Sequence, residues 1–126
     1  MEKMLIAGIG GFIGTIMRYT LNNIVYKSLD YPLYPYGTLT INVLGCFFIG
    51  FLASLTETRL ALTSDVRIFL QIGILGGFTT FSTFGYETFS LIRDGQFLLG
   101  VSNILLQVFI GLAAVWLGYY FGQYGG

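Results

Sequence analysis

Four long apolar stretches separated by short polar segments dominate the pattern of this chain. Each is long enough to cross the hydrocarbon core of a bilayer, about 30 Å at 1.5 Å per helical residue. They cover residues 4–25, 38–55, 66–91 and 97–121. Because the connecting segments are short, little of the chain is left for a soluble domain. The pattern predicts an all-α polytopic membrane protein, with residues 1–126 forming a single domain of four transmembrane helices.

The third stretch departs from this pattern in its middle, within the segment from Gly73 to Gly85. Two adjacent glycines, Gly76 and Gly77, are followed by hydroxyl residues that alternate with phenylalanines. Glycine and β-branched threonine are poor helix formers. In hydrocarbon every backbone polar group must be paired, so irregular backbone survives only where it lines a cavity or is buried in protein. We therefore expect the third helix to be broken near the bilayer midplane, where membrane proteins handle ions and small solutes.

Composition supports a membrane location and argues against several chemistries. The chain is 55% hydrophobic and only 10% charged, whereas a soluble domain has about 25% charged residues. It has no histidine, and its single cysteine, Cys46, lies inside the second stretch. No span carries a pair of carboxylates, and no nucleotide-binding loop is present. We therefore expect neither an enzyme nor a transition-metal site.

The basic residues give no clear orientation in the membrane. Orientation follows the Lys and Arg bias of short loops. If the spans alternate, Lys3, Arg59 and Arg67 lie on the side of the membrane that holds the termini. Lys27 and Arg93 lie on the other side, and Arg18 lies close to that side. Two interpretations remain open. Either the chain inserts both ways and forms an antiparallel homodimer, or one side wins weakly and the dimer is parallel.

In an antiparallel dimer, a two-fold axis in the membrane plane would bring the two helix breaks together. Facing carbonyl oxygens form the kind of site that holds a dehydrated alkali cation. A monovalent cation locking the dimer is one interpretation. The other is a packing break whose carbonyls bond to each other or to water.

The first span carries Gly10 and Gly14 four residues apart, a spacing that permits close helix contact. Arg18 and Asn22 continue the same face. Arginine inside a membrane is costly unless it pairs, faces water or reaches the interface. Arg18 therefore either lines an electropositive mouth that concentrates anions or anchors the helix at the interface.

Polar side chains also lie in the second and fourth spans. Asn42 shares a helix face with Thr38 and Gly45. An amide inside a span must hydrogen-bond, either across a helix interface or to a permeating species. Both interpretations apply equally to three fourth-span residues, and the sequence does not show which of them line a path: Ser102, Asn103 and Gln107.

Phe81 and Phe84 are three residues apart, so their rings are neighbours on a helix face. A phenyl ring has an electropositive edge, which can contact a small anion, and an electronegative face, which suits a cation. The alternative is that both rings simply pack.

Together these residues carry a specific resemblance. The chain resembles the Fluc fluoride channel family, also called CrcB proteins, over essentially its full length. The resemblance rests on three segments in order: Gly10-Gly11-Phe12-Ile13-Gly14 with Arg18-Tyr19, Gly37-Thr38-Leu39 with Asn42 and Gly45, and the third-span run Gly76-Gly77-Phe78-Thr79-Thr80-Phe81-Ser82-Thr83-Phe84.

The resemblance implies a fluoride-selective channel in the inner membrane of a prokaryote, through which cytoplasmic fluoride leaves passively. It implies an antiparallel dual-topology homodimer with two pores, with no nucleic-acid partner. It places Arg18 near a vestibule and a structural sodium ion at the dimer centre, held by the backbone carbonyls of Gly76 and Thr79. The implied pore-lining residues are Asn42, Phe81, Ser82, Thr83 and Phe84.

The main alternative is a small dual-topology exporter of drugs or other cations. Such a transporter needs a carboxylate embedded in the membrane to couple protons to its substrate. Glu2 lies at the very start of the first span and Glu87 lies late in the third, so the central residue of that mechanism is missing.

Overall fold

The computed structural model describes residues 1–59 and 62–124, with the side chains of residues 58 and 59 excluded. The side chain of Arg59, counted above among the basic residues, therefore lies outside the described part. The described chain is helical: α1 Glu2–Ser28; α2 Tyr36–Ser54, which continues in wide π-type turns over Leu55–Arg59; α3, made of Ser64–Arg67, Ile68–Leu75 and Gly76–Phe78; α4 Phe81–Arg93; and α5 Phe97–Tyr124.

Within the described residues, four helical stretches are long and apolar enough to cross a membrane: Glu2–Ser28, Tyr36–Glu57, Ser64–Arg93 and Phe97–Tyr124. The third of these spans combines α3 and α4. The predicted all-helical, multi-pass architecture is confirmed, and each predicted boundary lies inside or at the observed one. The sequence pattern places ends slightly inward because the first and last turns carry the polar residues.

Two helix pairs are held at close range by glycines. On the α1–α3 interface, a methyl group added at Gly10 would lie 2.6 Å from the Phe69 carbonyl oxygen. A methyl group added at Gly77 would lie 2.6 Å from the Gly11 carbonyl oxygen. On the α2–α5 interface, a methyl group at Gly122 would lie 2.8 Å from the Phe51 oxygen. Backbones can approach this closely only where no side chain intervenes, so the glycine spacing sets both interfaces.

Two contacts identify which helix ends lie together. Lys3 Nζ lies 3.2 Å from Asp65 Oδ1, which joins the start of α1 to the start of α3. The Tyr119 hydroxyl donates to Glu57 Oε1 at 2.9 Å, which joins the end of α2 to the last turns of α5. These pairings agree with helices that alternate in direction.

The backbone between α3 and α4 is extended at two residues. Thr79 has φ −89° and ψ 159°, and Thr80 has φ −152° and ψ 119°. Gly76 and Gly77 are helical, so the extended residues are the two threonines after the glycine pair. The hydroxyls of both threonines bond to helix ends. The Leu75 carbonyl accepts from the Thr79 N–H at 3.0 Å and from Thr79 Oγ1 at 2.9 Å, and Thr80 Oγ1 accepts from the Thr83 N–H at 3.2 Å as the N-cap of α4. The depth of this interruption in a bilayer stays a prediction.

Candidate functional site

The side chain of Asn42 on α2 holds the extended backbone of Thr80 from both sides. The Thr80 N–H donates to Asn42 Oδ1 at 3.0 Å, and Asn42 Nδ2 donates to the Thr80 carbonyl at 3.1 Å. This is the pairing that a neighbouring strand would supply, here provided by an amide side chain. Asn42 thus satisfies the Thr80 N–H, which an apolar environment would otherwise leave unpaired.

The Asn42 amide continues into a chain of polar side chains that runs across α5. Asn42 Nδ2 also donates to Gln107 Oε1 at 3.1 Å. Gln107 Nε2 donates to Asn103 Oδ1 at 3.5 Å, and Asn103 Nδ2 donates to Thr88 Oγ1 at 2.9 Å. Asn103 is fully buried. Ser102 is not part of this chain, because its hydroxyl lies 3.1 Å from that of Tyr34.

Two cavities flank the interruption, and Thr80 borders both. The first, which we call the amide cavity, has a volume of about 400 Å³. It is lined by Asn42, Gly45, Cys46, Ile49, Gln71, Leu75, Gly76, Thr79, Thr80, Phe81, Phe84, Gln107 and Val108. The second, the arginine cavity, has a volume of about 350 Å³. It is lined by Thr15, Arg18, Tyr19, Asn22, Thr38, Ile41, Thr80 and Thr83.

Arg18 lies at the level of the interruption. Its Nε donates to the Gly77 carbonyl at 3.0 Å, so its stem follows α1 towards α3 and its charge borders the arginine cavity. This contact supports the inward-facing interpretation of Arg18. A cation in this cavity raises the local concentration of anions.

The two phenylalanine rings lie side by side within one chain. Their centroids are 5.5 Å apart with an interplanar angle of 56°. Phe81 is 82% exposed, so most of its ring is free to contact something other than this chain. Ser82 is also exposed. Thr83 borders the arginine cavity and receives a hydrogen bond from Thr80 Oγ1 at 3.1 Å, which leaves its own hydroxyl proton free to donate.

The carbonyls of Gly76 and Thr79 lose their usual helical partners. In a continuous helix each carbonyl accepts from the N–H four residues later. The Thr80 N–H, which would serve Gly76, donates to Asn42, and the Thr83 N–H, which would serve Thr79, donates to Thr80 Oγ1. Gly76 is also exposed on the surface of the chain. Among the described residues, the N–H groups that would normally serve these two oxygens are thus engaged elsewhere, so both oxygens could accept from, or coordinate, something else.

The structure brings most of the predicted site residues to one place. Asn42, Phe81 and Phe84 line the amide cavity, and Arg18 and Thr83 line the arginine cavity. Ser82 borders neither cavity.

Sequence reasoning left three residues at this site unassigned. Thr80 appears in the sequence only as part of the third-span motif, Gln107 is one of three polar residues on the fourth span that the pattern does not separate, and Gln71 belongs to no motif. An uncharged amide inside an apolar span is the signal that marks Gln71.

Within the described residues, no group of three or more His, Cys, Asp or Glu side chains is placed to hold a metal ion.

Comparison with known proteins agrees with the motifs. A family profile described as "CrcB-like protein, Camphor Resistance (CrcB)" matches residues 5–119. A protein of Dehalococcoides mccartyi named fluoride-specific ion channel FluC is 43% identical over 123 residues, which cover 98% of this chain and 94% of that protein. FluC 3 of the archaeon Methanosarcina barkeri is 44% identical over 118 residues, covering 94% and 88%. FluC of Geobacter metallireducens is 45% identical over 108 residues, covering 86% of each chain.

These relatives are named as ion channels, which agrees with the prediction that the chain is not an enzyme. The match extends from α1 into the last turns of α5 and includes all three sequence segments that carried the resemblance. The chain therefore belongs to the CrcB family of membrane ion channels.

Proposed function

We propose that this protein is a fluoride-selective channel that lets cytoplasmic fluoride leave the cell passively, down its electrochemical gradient. The observation that carries the proposal is the cluster around Thr80, where the Asn42 amide, the Thr83 hydroxyl and two phenyl rings border adjacent cavities. The names of the relatives support fluoride as the ion. The expected pore-lining residues are Asn42, Phe81, Ser82, Thr83 and Phe84, with Arg18 in the vestibule.

The chemistry of the cluster suits a small anion that holds its water tightly. Leaving water costs fluoride its hydration, so the path must supply close hydrogen-bond donors in exchange. Amide and hydroxyl groups donate, and phenyl edges add weaker electropositive contacts. A narrow path with these groups would favour fluoride over the larger chloride.

We propose that the working unit is an antiparallel homodimer with two pores, inserted in both orientations. Support comes from the open cavities and from the 82% exposure of Phe81, because a single chain of four spans leaves these groups facing outward. The near balance of basic residues on the two sides also supports dual insertion. In this assembly, each pore would take Phe81 from one subunit and Phe84 from the other.

We further propose a structural sodium ion at the dimer centre, held by the carbonyls of Gly76 and Thr79 from both chains. The fit rests on the diverted N–H groups, which leave these two oxygens without their helical donors. A bound cation would neutralise the facing carbonyl dipoles and hold the two copies together.

Residues 1–126 would act as one membrane domain in the inner membrane of a prokaryote, in line with the bacterial and archaeal relatives.

The alternative, a proton-coupled cation exporter, needs a carboxylate at the centre of the path. Glu87 borders a separate cavity of about 230 Å³ at the loop end of the bundle, beside Pro35 and Gln96. It is not among the residues that line the amide or arginine cavities. The geometry therefore gives this alternative no support.

Flux from liposomes tests the proposed function. Purified protein in vesicles loaded with potassium fluoride should release fluoride when a potassium ionophore removes the opposing voltage. Vesicles loaded with potassium chloride should release no chloride above the background of protein-free vesicles. Equal release of both anions, or release of neither, would contradict the proposal.

The ring pair provides a sharper test of the path. Phe81→Ile and Phe84→Ile keep apolar bulk but remove the electropositive ring edge, so each should lower fluoride flux by about tenfold, near the upper end of what one ring interaction is worth. Thermal stability should change little for Phe81, because its ring is mostly exposed. Phe89→Ile on the same helix is the matched control, since that ring is exposed and contacts Arg93. Unimpaired flux in both test variants would mean that the rings only pack.

A further inference from the structure

One backbone group, the Thr80 N–H, fixes which atoms donate and which accept along the hydrogen-bond chain from Thr80 to Thr88. The Thr80 N–H can only donate, so Asn42 must turn its oxygen towards it. The Asn42 NH₂ group then faces Gln107, which must present its oxygen in turn. The same logic turns the nitrogen of Gln107 towards Asn103 and the nitrogen of Asn103 towards Thr88. One extended residue thus orients three side-chain amides on two other helices.

In this arrangement the Asn42 amide has no free proton. Its two N–H groups donate to the Thr80 carbonyl and to Gln107 Oε1, both at 3.1 Å. The Thr80 carbonyl belongs to the backbone and is fixed, whereas Gln107 is a long side chain bordering the amide cavity. The bond from Gln107 to Asn103 is 3.5 Å long, at the limit for a hydrogen bond, so the Gln107 amide is held weakly on its other side.

We propose that Gln107 is a positioning residue for the anion path, one that orients the Asn42 amide at rest and releases it to an arriving anion. Displacing Gln107 Oε1 frees one Asn42 N–H to donate to the anion. This inference rests on the proposed function, because the arriving anion is taken to be fluoride.

A double-mutant cycle in fluoride flux tests the coupling. Gln107→Met keeps the length of the side chain but has neither acceptor nor donor. We expect Gln107→Met and Asn42→Ala each to lower flux by about tenfold, the value of one hydrogen bond to a charged group. The double variant should be no slower than Asn42→Ala alone, because Gln107 acts through Asn42. Ser102→Ala is the control, because Ser102 is on the same helix but bonds to Tyr34. Its effect on flux, whatever its size, should multiply with that of Asn42→Ala in the double variant.

Hydrogen exchange of the Asn42 side chain tests the orientation without relying on transport. In protein labelled with ¹⁵N-asparagine, the Asn42 NH₂ resonances are identified by their loss in Asn42→Ala. Their exchange with solvent should be slow in the native protein and fast in Gln107→Met. It should stay slow in Gln107→Glu, which keeps an oxygen acceptor facing Asn42.

The outcomes separate this inference from the proposed function. The positioning role would be overturned if the flux losses of Gln107→Met and Asn42→Ala multiply in the double variant, or if the Asn42 NH₂ group exchanges equally slowly in Gln107→Met. Either result would leave a fluoride channel in place. If the native protein passes no fluoride, the proposed function fails, and the exchange measurement alone decides whether Gln107 orients Asn42.

Discussion

Asn42→Asp is expected to reduce fluoride flux by about 100-fold or more, the upper range for losing a hydrogen bond to a charged group. Aspartate keeps an oxygen that accepts from the Thr80 N–H, so the contact that supports the interruption remains. It loses both donated bonds, to the Thr80 carbonyl and to Gln107. It also places a carboxylate in the amide cavity, where a negative charge repels an anion.

The measurement is fluoride release from liposomes that contain equal amounts of correctly assembled protein, checked by gel filtration. Asn23→Asp is the matched control, because it makes the same chemical change on the exposed face of α1 and should keep near-native flux. Native flux in Asn42→Asp would remove Asn42 from the path. Equal losses in both variants would point to a general effect of added charge.

Gly14→Ala is expected to cause a large loss of stability. An added methyl group would overlap the Ile74 carbonyl oxygen and would lie 2.9 Å from its carbon and 3.0 Å from the Phe78 nitrogen. These are backbone atoms, which cannot move aside without separating α1 from α3. We expect a loss of about 3 kcal/mol or more, at the upper end for overpacking a close contact. Because α3 leads into the interruption, fluoride flux should fall as well.

Thermal unfolding of the detergent-solubilised protein measures this effect. Gly8→Ala, on the same helix, is the control because a methyl group there meets nothing within 4 Å. Alanine is a better helix former than glycine by about 1 kcal/mol, so Gly8→Ala should be neutral or slightly stabilising. An equally stable Gly14→Ala protein would contradict the close backbone contact between α1 and α3 at Gly14.

The sequence predicted the membrane architecture well because hydropathy is a local property. Bilayer thickness requires apolar runs of a certain length, so four such runs predict four spans within a few residues of the observed ones. Asn42 was a candidate for a similar reason, since an amide in an apolar span must find a partner wherever the chain folds. The spacing of Gly10 and Gly14 likewise predicted a packing face, and both are buried against α3.

The identity of each partner was beyond the reach of the sequence. Asn42 bonds to residues 38 and 65 positions away, and no periodicity in the chain encodes such pairs. The sequence pattern also placed the poor helix formers in one segment without showing which of them are extended. Gly77 is helical and lies against α1, and the threonines, whose hydroxyls bond to the helix ends, take the extended conformation.

For Arg18 and Gln107 too, the sequence indicated a polar group that needs a partner, and the packing of the helices decided which partner it has. The sequence favoured an inward-facing Arg18 because it shares a helix face with the packing glycines, but only the packing of α1 on α3 brings its guanidinium to the Gly77 carbonyl. Gln107 was one of three polar residues on α5, and only the crossing of α2 and α5 places its oxygen on Asn42. The sequence by itself determined which segments cross the membrane and which polar groups need partners, because both follow from the cost of burying polar atoms in hydrocarbon. The tertiary structure decided which groups meet, because hydrogen bonds depend on distances and angles that exist only once the helices pack.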